Sequence, residues 1–433
     1  MTTEAPLHAP PDRIKRAQIM VLIAAFLGWL FDGFEMGLFP FVARPALTSM
    51  FPGAAGVDMS VVDQFVGEWM GYITALFLLG AATGGWLFGW LGDKIGRVRA
   101  MSLSILTYSI FTGMGYFAGE PWHLGAFRFL AALGMGGEWS LGVALVMEVW
   151  PEKFRPLMAG LIGAAANFGF LLVGYVGNLL VRMAADSGEP DPWRAMWLVG
   201  VLPALLVFFI RLFVPESKRW QQSVIDHKDN APLREIFEPQ RLRNTLLGIA
   251  FASVALIGTW GTVQWIPLWI DQMTGQSIPD AKGTAIKLSA VGAIIGCLVG
   301  PILGGIIGRR PTYFLLCLSS LVTCGYMYLA NLEYGLTLQL LILLTGFTTA
   351  AFYGWFPLFL PELFPTRMRA TGQGVCYNTG RVFAAFGAVF GGQLVKSFGG
   401  DYARAGSIII LVYLVGMAII WLAPETKGHA LPD

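Results

Sequence analysis

The stretch "GDKIGRVR" at residues 92–99 returns as "GGIIGRRP" at 304–311, and this repetition decides the fold. Two further pairs keep nearly the same spacing: "EVWPEKFRPLMAG" at 148–160 with "ELFPTRMRATGQG" at 362–374, and "VPESKRW" at 214–220 with "APETKGH" at 423–429. The three offsets are 212, 214 and 209 residues. Matches at almost one offset predict two homologous halves that follow each other in the same orientation.

The composition is typical of an integral membrane protein. Of 433 residues, 55% are hydrophobic and only 13% are charged, whereas an average soluble domain has about 25% charged residues. A membrane-spanning helix needs about 20 apolar residues, and polar breaks divide the chain into twelve such stretches. The predicted spans are 18–43, 66–91, 98–118, 123–149, 157–183, 194–214, 245–270, 285–307, 311–330, 335–360, 371–396 and 403–423.

Lysine and arginine predict the orientation of these spans. Nineteen of the 29 lysines and arginines fall on the side that holds both termini, which predicts cytoplasmic termini and a multi-pass protein of the inner (cytoplasmic) cell membrane. The net charge of +2 gives no reason to expect a nucleic-acid partner. The predicted organisation is a tail at 1–17, a six-helix bundle at 18–214, a charged cytoplasmic linker at 215–244, a second bundle at 245–423 and a tail at 424–433.

Several motifs resemble the major facilitator superfamily. "GWLGDKIGRVRA" at 89–100 is similar to its loop 2–3 signature, and "RFLAALGMGGEW" at 128–139 is similar to its span-4 signature. The resemblance covers nearly the whole chain. It implies an all-α membrane protein with the major facilitator fold: twelve transmembrane helices in two six-helix bundles with pseudo-twofold symmetry. The second half departs from the pattern, because Gly305 stands where the first half has Asp93.

Within the superfamily, "DGFE" in span 1 and "GMGGEWSLGVALVMEVWPEKFRPLMAG" in span 4 are most similar to the sialate and lactate proton symporters. The aromatic-acid proton symporters and the organic-anion branch are close alternatives.

Asp32 and Glu35 are two carboxylates inside the apolar first span. They are three residues apart and therefore share a helical face. A charge at this depth costs several kcal/mol, so we expect at least one of them to carry a proton in a central cavity. The alternative is a carboxylate fixed by a structural partner. Arg128 in span 4 is a candidate partner, at a depth closer to Glu35, and Glu138 is a third possible proton site.

Arg381 lies about ten residues into span 11, roughly 15 Å deep. A guanidinium keeps its proton in a protein, and a buried cation needs an anion. The simplest anion is a substrate carboxylate held by a bidentate contact; an ion pair with Asp32 or Glu35 is the alternative. Weaker candidates for substrate contacts, each of which could equally be packing, are Asn378, Tyr353, Gln264, Trp260 and Asn167.

The charged residues of the repeated motifs predict a cytoplasmic gate that holds one transport state closed. Anchoring by the positive-inside rule is the simpler alternative. The predicted gate residues are Asp93, Arg97, Glu148, Arg155, Glu216, Arg309, Glu362, Arg369 and Glu425.

Together these features favour a secondary active transporter that couples protons to a small organic anion such as lactate. A sugar, polyol or aromatic-acid proton symporter, a facilitative carrier, an antiporter and a transporter-like receptor stay open. No nucleophile–base pair or metal cluster appears, so we expect neither an enzyme nor a cofactor or metal. The expected partners are the anion, protons and the lipid bilayer, with the chain acting as a monomer.

Overall fold

The protein is built of long helices, seen here in a computed structural model. It describes residues 16–51, 59–187, 193–214, 216, 220–221, 232–274, 278, 281–330, 333–398, 401–429 and 431–432. The helices are α1 Arg16–Ser49, α2 Met59–Ile95, α3 Arg97–Met114, α4 Pro121–Val149, α5 Arg155–Ser187, α6 Trp193–Val199, α7 Ala204–Phe213, α8 Pro232–Glu235, α9 Pro239–Gly261, α10 Ile266–Thr274, α11 Ala281–Ile307, α12 Arg309–Leu329, α13 Leu336–Phe359, α14 Arg369–Ser397, α15 Tyr402–Ile409 and α16 Val412–Ile419.

Nine helical segments in the described part of the chain are long and apolar enough to cross a membrane. The other three predicted spans are present as helices that are more polar or broken. Helix α3 begins with Arg97, and α14 carries Asn378 and Arg381, whereas the sixth span is interrupted between α6 and α7. The seventh span is likewise broken by a 3-10 turn at Val263–Trp265. The twelve predicted spans therefore all correspond to helical structure.

Single glycines connect two pairs of successive helices. Gly96 joins α2 to α3 with a φ of 108°, and Gly308 joins α11 to α12 with a φ of 104°. Residues with a Cβ atom rarely adopt this left-handed backbone conformation. The repeated motif of the sequence therefore encodes the same tight reversal in both halves.

Glycines also set the spacing of neighbouring helices. A Cβ atom on Gly84 of α2 would overlap the backbone of Leu133 in α4, and one on Gly296 of α11 would overlap that of Phe347 in α13. The halves meet where α2 packs on α14 and where α5 packs on α11 and α13. These contacts pair equivalent helices of the two halves in exchanged order, as pseudo-twofold symmetry requires.

The predicted bundle boundaries, 18–214 and 245–423, stay a prediction. Residues 1–15 of the predicted N-terminal tail, residues 215, 217–219 and 222–231 of the predicted linker, and residues 430 and 433 of the predicted C-terminal tail lie outside the described residues. Inside that linker the short helix α8 forms, and α9 begins at Pro239, before the predicted start of span 7 at 245.

Candidate functional site

A cavity of about 140 Å³ lies between the two halves. Its walls come from α1 and α5 on one side and from α9, α10, α11, α13 and α14 on the other. The break between α9 and α10 turns Val263 and Gln264 toward the cavity. The structure places five of the six predicted substrate contacts in the lining: Arg381, Tyr353, Gln264, Trp260 and Asn167.

The lining also contains residues that the sequence analysis did not single out. Six of them are aromatic or carry hydroxyl groups: Trp29, Phe170, Tyr377, Thr259, Ser289 and Thr349. One signal could have identified Tyr377, which precedes Arg381 by four residues and therefore shares its helical face. The hydroxyl residues carry no comparable signal, because serine and threonine also occur in membrane helices bonded to their own backbone, as Thr349 is to Thr345 at 2.7 Å.

Arg381 is buried at the α14 wall of this cavity, with 3% of its surface exposed. Its Nη1 donates a hydrogen bond to Asn378 Oδ1 at 2.8 Å, and Asn378 Nδ2 donates to the Gly374 carbonyl at 2.9 Å. The guanidinium also lies 5.1 Å from the centre of the Tyr377 ring. Within the described ranges no carboxylate forms an ion pair with Arg381. Asn378 therefore orients the guanidinium and does not line the cavity itself.

Aromatic stacking joins the two halves next to the cavity, at Tyr377 of its lining. The rings of Tyr377 in α14 and Trp139 in α4 are nearly parallel, at 20°, with their centres 4.2 Å apart. Close by, Trp86 Nε1 in α2 donates a hydrogen bond to Thr379 Oγ1 in α14 at 3.2 Å. These two contacts join the halves within four residues of Arg381 along α14.

Glu35 forms a buried ion pair with Arg128, through a short contact between Oε1 and Nη1. The same Nη1 donates to the Glu35 carbonyl at 3.2 Å, and Thr112 Oγ1 donates to Glu35 Oε1 at 3.4 Å. The Arg128 guanidinium lies 4.3 Å from the centre of the Phe77 ring. A buried pair with added hydrogen bonds and an aromatic contact holds both charges in place.

Asp32 and Glu138 differ from this pair because neither has a donor. Both are buried, at 0% and 2% exposure. Their four carboxyl oxygens receive no hydrogen bond from any N–H or O–H group in the described part of the chain. The two carboxyl groups are neighbours, because Glu138 lies against Gly28, one helical turn before Asp32 in α1. Glu138 fits against α1 because position 28 is glycine, where a Cβ atom would overlap Glu138 Oε1.

The predicted gate residues gather at the end of the molecule where α2 and α11 finish, and we call them the charge cluster. In the first half Arg97 contacts Asp93 at 2.6 Å and Glu148 at 3.3 Å. Glu216 accepts the backbone N–H groups of Arg97 at 3.0 Å and Val98 at 3.1 Å. These N–H groups open α3 and have no partner inside the helix, so Glu216 caps it.

The second half repeats this arrangement with different atoms. Arg309 contacts Glu362 at 2.6 Å, and Glu425 accepts the backbone N–H groups of Arg309 at 2.9 Å and Arg310 at 3.1 Å. Burial alone would raise the pKa of Glu425, but these two hydrogen bonds and a third from the Lys427 backbone outweigh it. The pKa of Glu425 therefore lies below its ordinary value, and the carboxylate stays ionised as a helix cap.

Three residue pairs of the charge cluster connect one half to the other in the described part of the chain. Asp93 Oδ2 accepts hydrogen bonds from the Thr371 backbone at 2.8 Å and from the Thr371 hydroxyl. Arg97 Nη2 donates to the Thr366 carbonyl at 3.1 Å, and Arg369 Nη1 contacts Glu148 at 3.4 Å. Arg155 contacts Glu152 at 3.1 Å and, as a fourth link, also acts electrostatically on Glu362 of the other half. Gly305, the counterpart of Asp93, faces Pro156 and makes no such bond.

Comparison with known proteins agrees with this architecture. The family model described as the Major Facilitator Superfamily matches residues 21–382. A probable 4-methylmuconolactone transporter of Cupriavidus pinatubonensis is 31% identical, covering 95% of this chain and 91% of its own. The sialic acid transporter NanX of Escherichia coli is 23% identical, covering 95% and 94%.

The solved structure of the proton:xylose symporter XylE has the same fold, with a TM-score of 0.77 at 18% identity, covering 96% of this chain and 98% of that one. The family match spans most of the chain, the sequence relatives are named as transporters, and the solved structure has the same fold. The chain therefore belongs to the major facilitator superfamily of multi-pass membrane transporters.

Proposed function

We propose that this transporter carries a small organic anion together with protons, by alternating access. One observation carries the proposal: Arg381 is buried at the cavity wall, held by Asn378, with no carboxylate paired to it among the described residues. Its five N–H groups form a planar fork that suits a carboxylate. A substrate carboxylate in the cavity completes this site. The relative named for sialic acid is consistent with an organic acid as cargo.

The lining of the cavity favours one kind of anion. Five aromatic side chains surround the space: Trp29, Phe170, Trp260, Tyr353 and Tyr377. Flat rings stack on such surfaces, so a ring-bearing or conjugated carboxylate makes more contacts here than lactate does. We therefore propose an aromatic or unsaturated acid as a second candidate substrate, in addition to a small monocarboxylate.

The bonds across the charge cluster support a specific transport state. They tie the halves together at the end where α2 finishes, and the Tyr377–Trp139 stack lies between that end and the cavity. The distribution of lysine and arginine places this end in the cytoplasm. The conformation is then one in which the cytoplasmic gate is closed, and opening it requires the bonds that cross between the halves to break.

Uptake into proteoliposomes under an inward proton gradient tests the proposal, with lactate and benzoate as probes. Replacing Arg381 by lysine or alanine removes the bidentate contact. We expect uptake of the transported anion at subsaturating concentration to fall about ten- to a hundredfold, since hydrogen bonds to charged groups contribute about 1.5–3 kcal/mol. Arg404→Ala is the matched control, because Arg404 is exposed near the start of α15 and lies outside the cavity. If Arg381→Ala takes up the anion at the wild-type rate, Arg381 does not bind the substrate and the proposal is wrong.

Two further measurements separate the alternatives. A thermal-shift screen of carboxylates, sugars and aromatic acids at two pH values identifies the class that binds, and stabilisation by neutral sugars alone contradicts the anion proposal. Counterflow separates transport from binding, because a receptor binds its ligand without exchanging it across the membrane. Uptake that ignores the pH gradient supports a facilitative carrier instead.

A further inference from the structure

The interior of this transporter has more buried carboxyl groups than hydrogen-bond donors to them among the described residues. Glu35 is paired with Arg128, and Arg128 has no second carboxylate within ion-pair distance in the described residues. Asp32 and Glu138 are left facing each other across the contact between α1 and α4, each without a donor. Two neighbouring carboxylates repel, and the repulsion is strong in a buried site. One proton between them turns the repulsion into a hydrogen bond.

The groups around this carboxyl pair define its charge. Among the described residues, Arg381 from α14 is the cation that acts on Asp32, and Tyr377 on the same helix is also close enough to interact. Tyr108 from α3 interacts with both acids, and its buried hydroxyl has no hydrogen-bond partner within the described ranges. Together with Glu35 on α1, these are the titratable and charged neighbours of the pair in the described part of the chain.

We propose that Asp32 and Glu138 act as one site, which holds a single shared proton in the empty transporter and binds a second proton together with the anion. This inference rests on the proposed anion site at Arg381. With one shared proton the pair has a charge of −1, which balances the +1 of Arg381. A bound monoanion adds −1, and the second proton restores neutrality. The Glu35–Arg128 pair is neutral throughout and takes no part.

The proposal fixes the stoichiometry. One proton enters with each monoanion, so the cycle moves no net charge and does not respond to membrane voltage. Anion and proton each favour the binding of the other, because either one alone leaves a buried charge uncompensated.

Infrared spectroscopy tests the shared proton without any anion. A protonated carboxyl group in the substrate-free protein at neutral pH gives a C=O stretching band that an ionised carboxylate lacks. We expect this band in the wild type, and we expect both Asp32→Asn and Glu138→Gln to lose it, since each amide donates a hydrogen bond that keeps the remaining carboxylate ionised. Glu35→Gln should retain the band. A wild type without the band, or loss in only one of the two pair variants, overturns the sharing.

Calorimetry tests the second proton. Titration of benzoate or lactate, whichever binds, in two buffers of different ionisation enthalpy gives the number of protons taken up with the anion. We expect about one in the wild type and none in the double variant Asp32→Asn/Glu138→Gln, in which the anion alone balances Arg381, with binding retained. Loss of proton uptake in Glu35→Gln alone assigns the proton to Glu35 and overturns the proposal. If neither anion binds, the proposed function fails, and the infrared result still decides the shared proton.

Discussion

Thr371→Val is expected to loosen the charge cluster by a measurable amount. The substitution keeps the branched shape of the side chain and removes the hydroxyl that donates to Asp93 across the halves. A hydrogen bond to a charged group contributes about 1.5–3 kcal/mol. Asp93 keeps the Thr371 backbone N–H and Arg97 as partners, so we expect the lower figure, about 1.5 kcal/mol. The ratio of closed to open molecules then falls about tenfold.

The assay is a distance measurement between spin labels on introduced cysteines at Lys94 and Gln240, which are exposed near the charge cluster on α2 and α9. The four native cysteines are buried and leave the labelling to these positions. We expect the long-distance population to grow in Thr371→Val. Thr107→Val is the control, because its hydroxyl bonds only to Leu103 in its own helix, at 2.8 Å.

If nearly all wild-type molecules have a closed gate, the measurement is repeated in a variant whose gate is already weakened. Arg369→Gln already removes the cross-half contact with Glu148, and adding Thr371→Val to it should open the gate further. If the distance distribution is the same with and without the Thr371 hydroxyl in both backgrounds, the hydrogen bond to Asp93 does not hold the gate and the reasoning is wrong.

Three other changes have expected outcomes. Gly84→Ala should reduce the yield of folded protein, because its Cβ atom overlaps the backbone of α4, whereas Gly71→Ala on the same helix has open space and should behave as wild type on gel filtration. Glu425→Gln weakens the cap of α12 and should cost about 1 kcal/mol of stability at neutral pH. Because folding lowers the pKa of Glu425, this difference should disappear in thermal melts as the pH falls below the ordinary carboxyl range. Glu35→Gln leaves Arg128 buried without its anion and should lower the melting temperature, and Glu35→Gln/Arg128→Gln should recover part of the loss; a double variant less stable than the single one contradicts this.

The repeat made much of the fold predictable. Because "GDKIGRVR" and "GGIIGRRP" each encode a glycine turn followed by an arginine, the sequence places Arg97 and Arg309 in equivalent positions, and the structure shows equivalent ion pairs there, with Glu148 and Glu362. The interruptions of spans 6 and 7 were not predictable, since hydropathy continues through them. They depend on tertiary packing that one sequence does not reveal.

The candidate site was predictable in part for a similar reason. Arg381 stands out because a cation in an apolar helix is costly, but the orientation of Asn378 toward it depends on side-chain geometry. The contact between Asp32 and Glu138 requires α1 to cross α4 at Gly28. Thr371, the partner of Asp93, lies in the opposite half, where no local sequence pattern connects the two residues.

The paired glutamate caps also determine how the molecule can deform. Glu216 follows α7 and grips the start of α3, and Glu425 follows α16 and grips the start of α12. Each cap ties the last span of a half to the third span of the same half. Each half therefore moves as a rigid body, and the interface between the halves accommodates the motion. An antibody fragment that binds one half alone should therefore allow transport, whereas a fragment that binds across the interface between the halves should inhibit it.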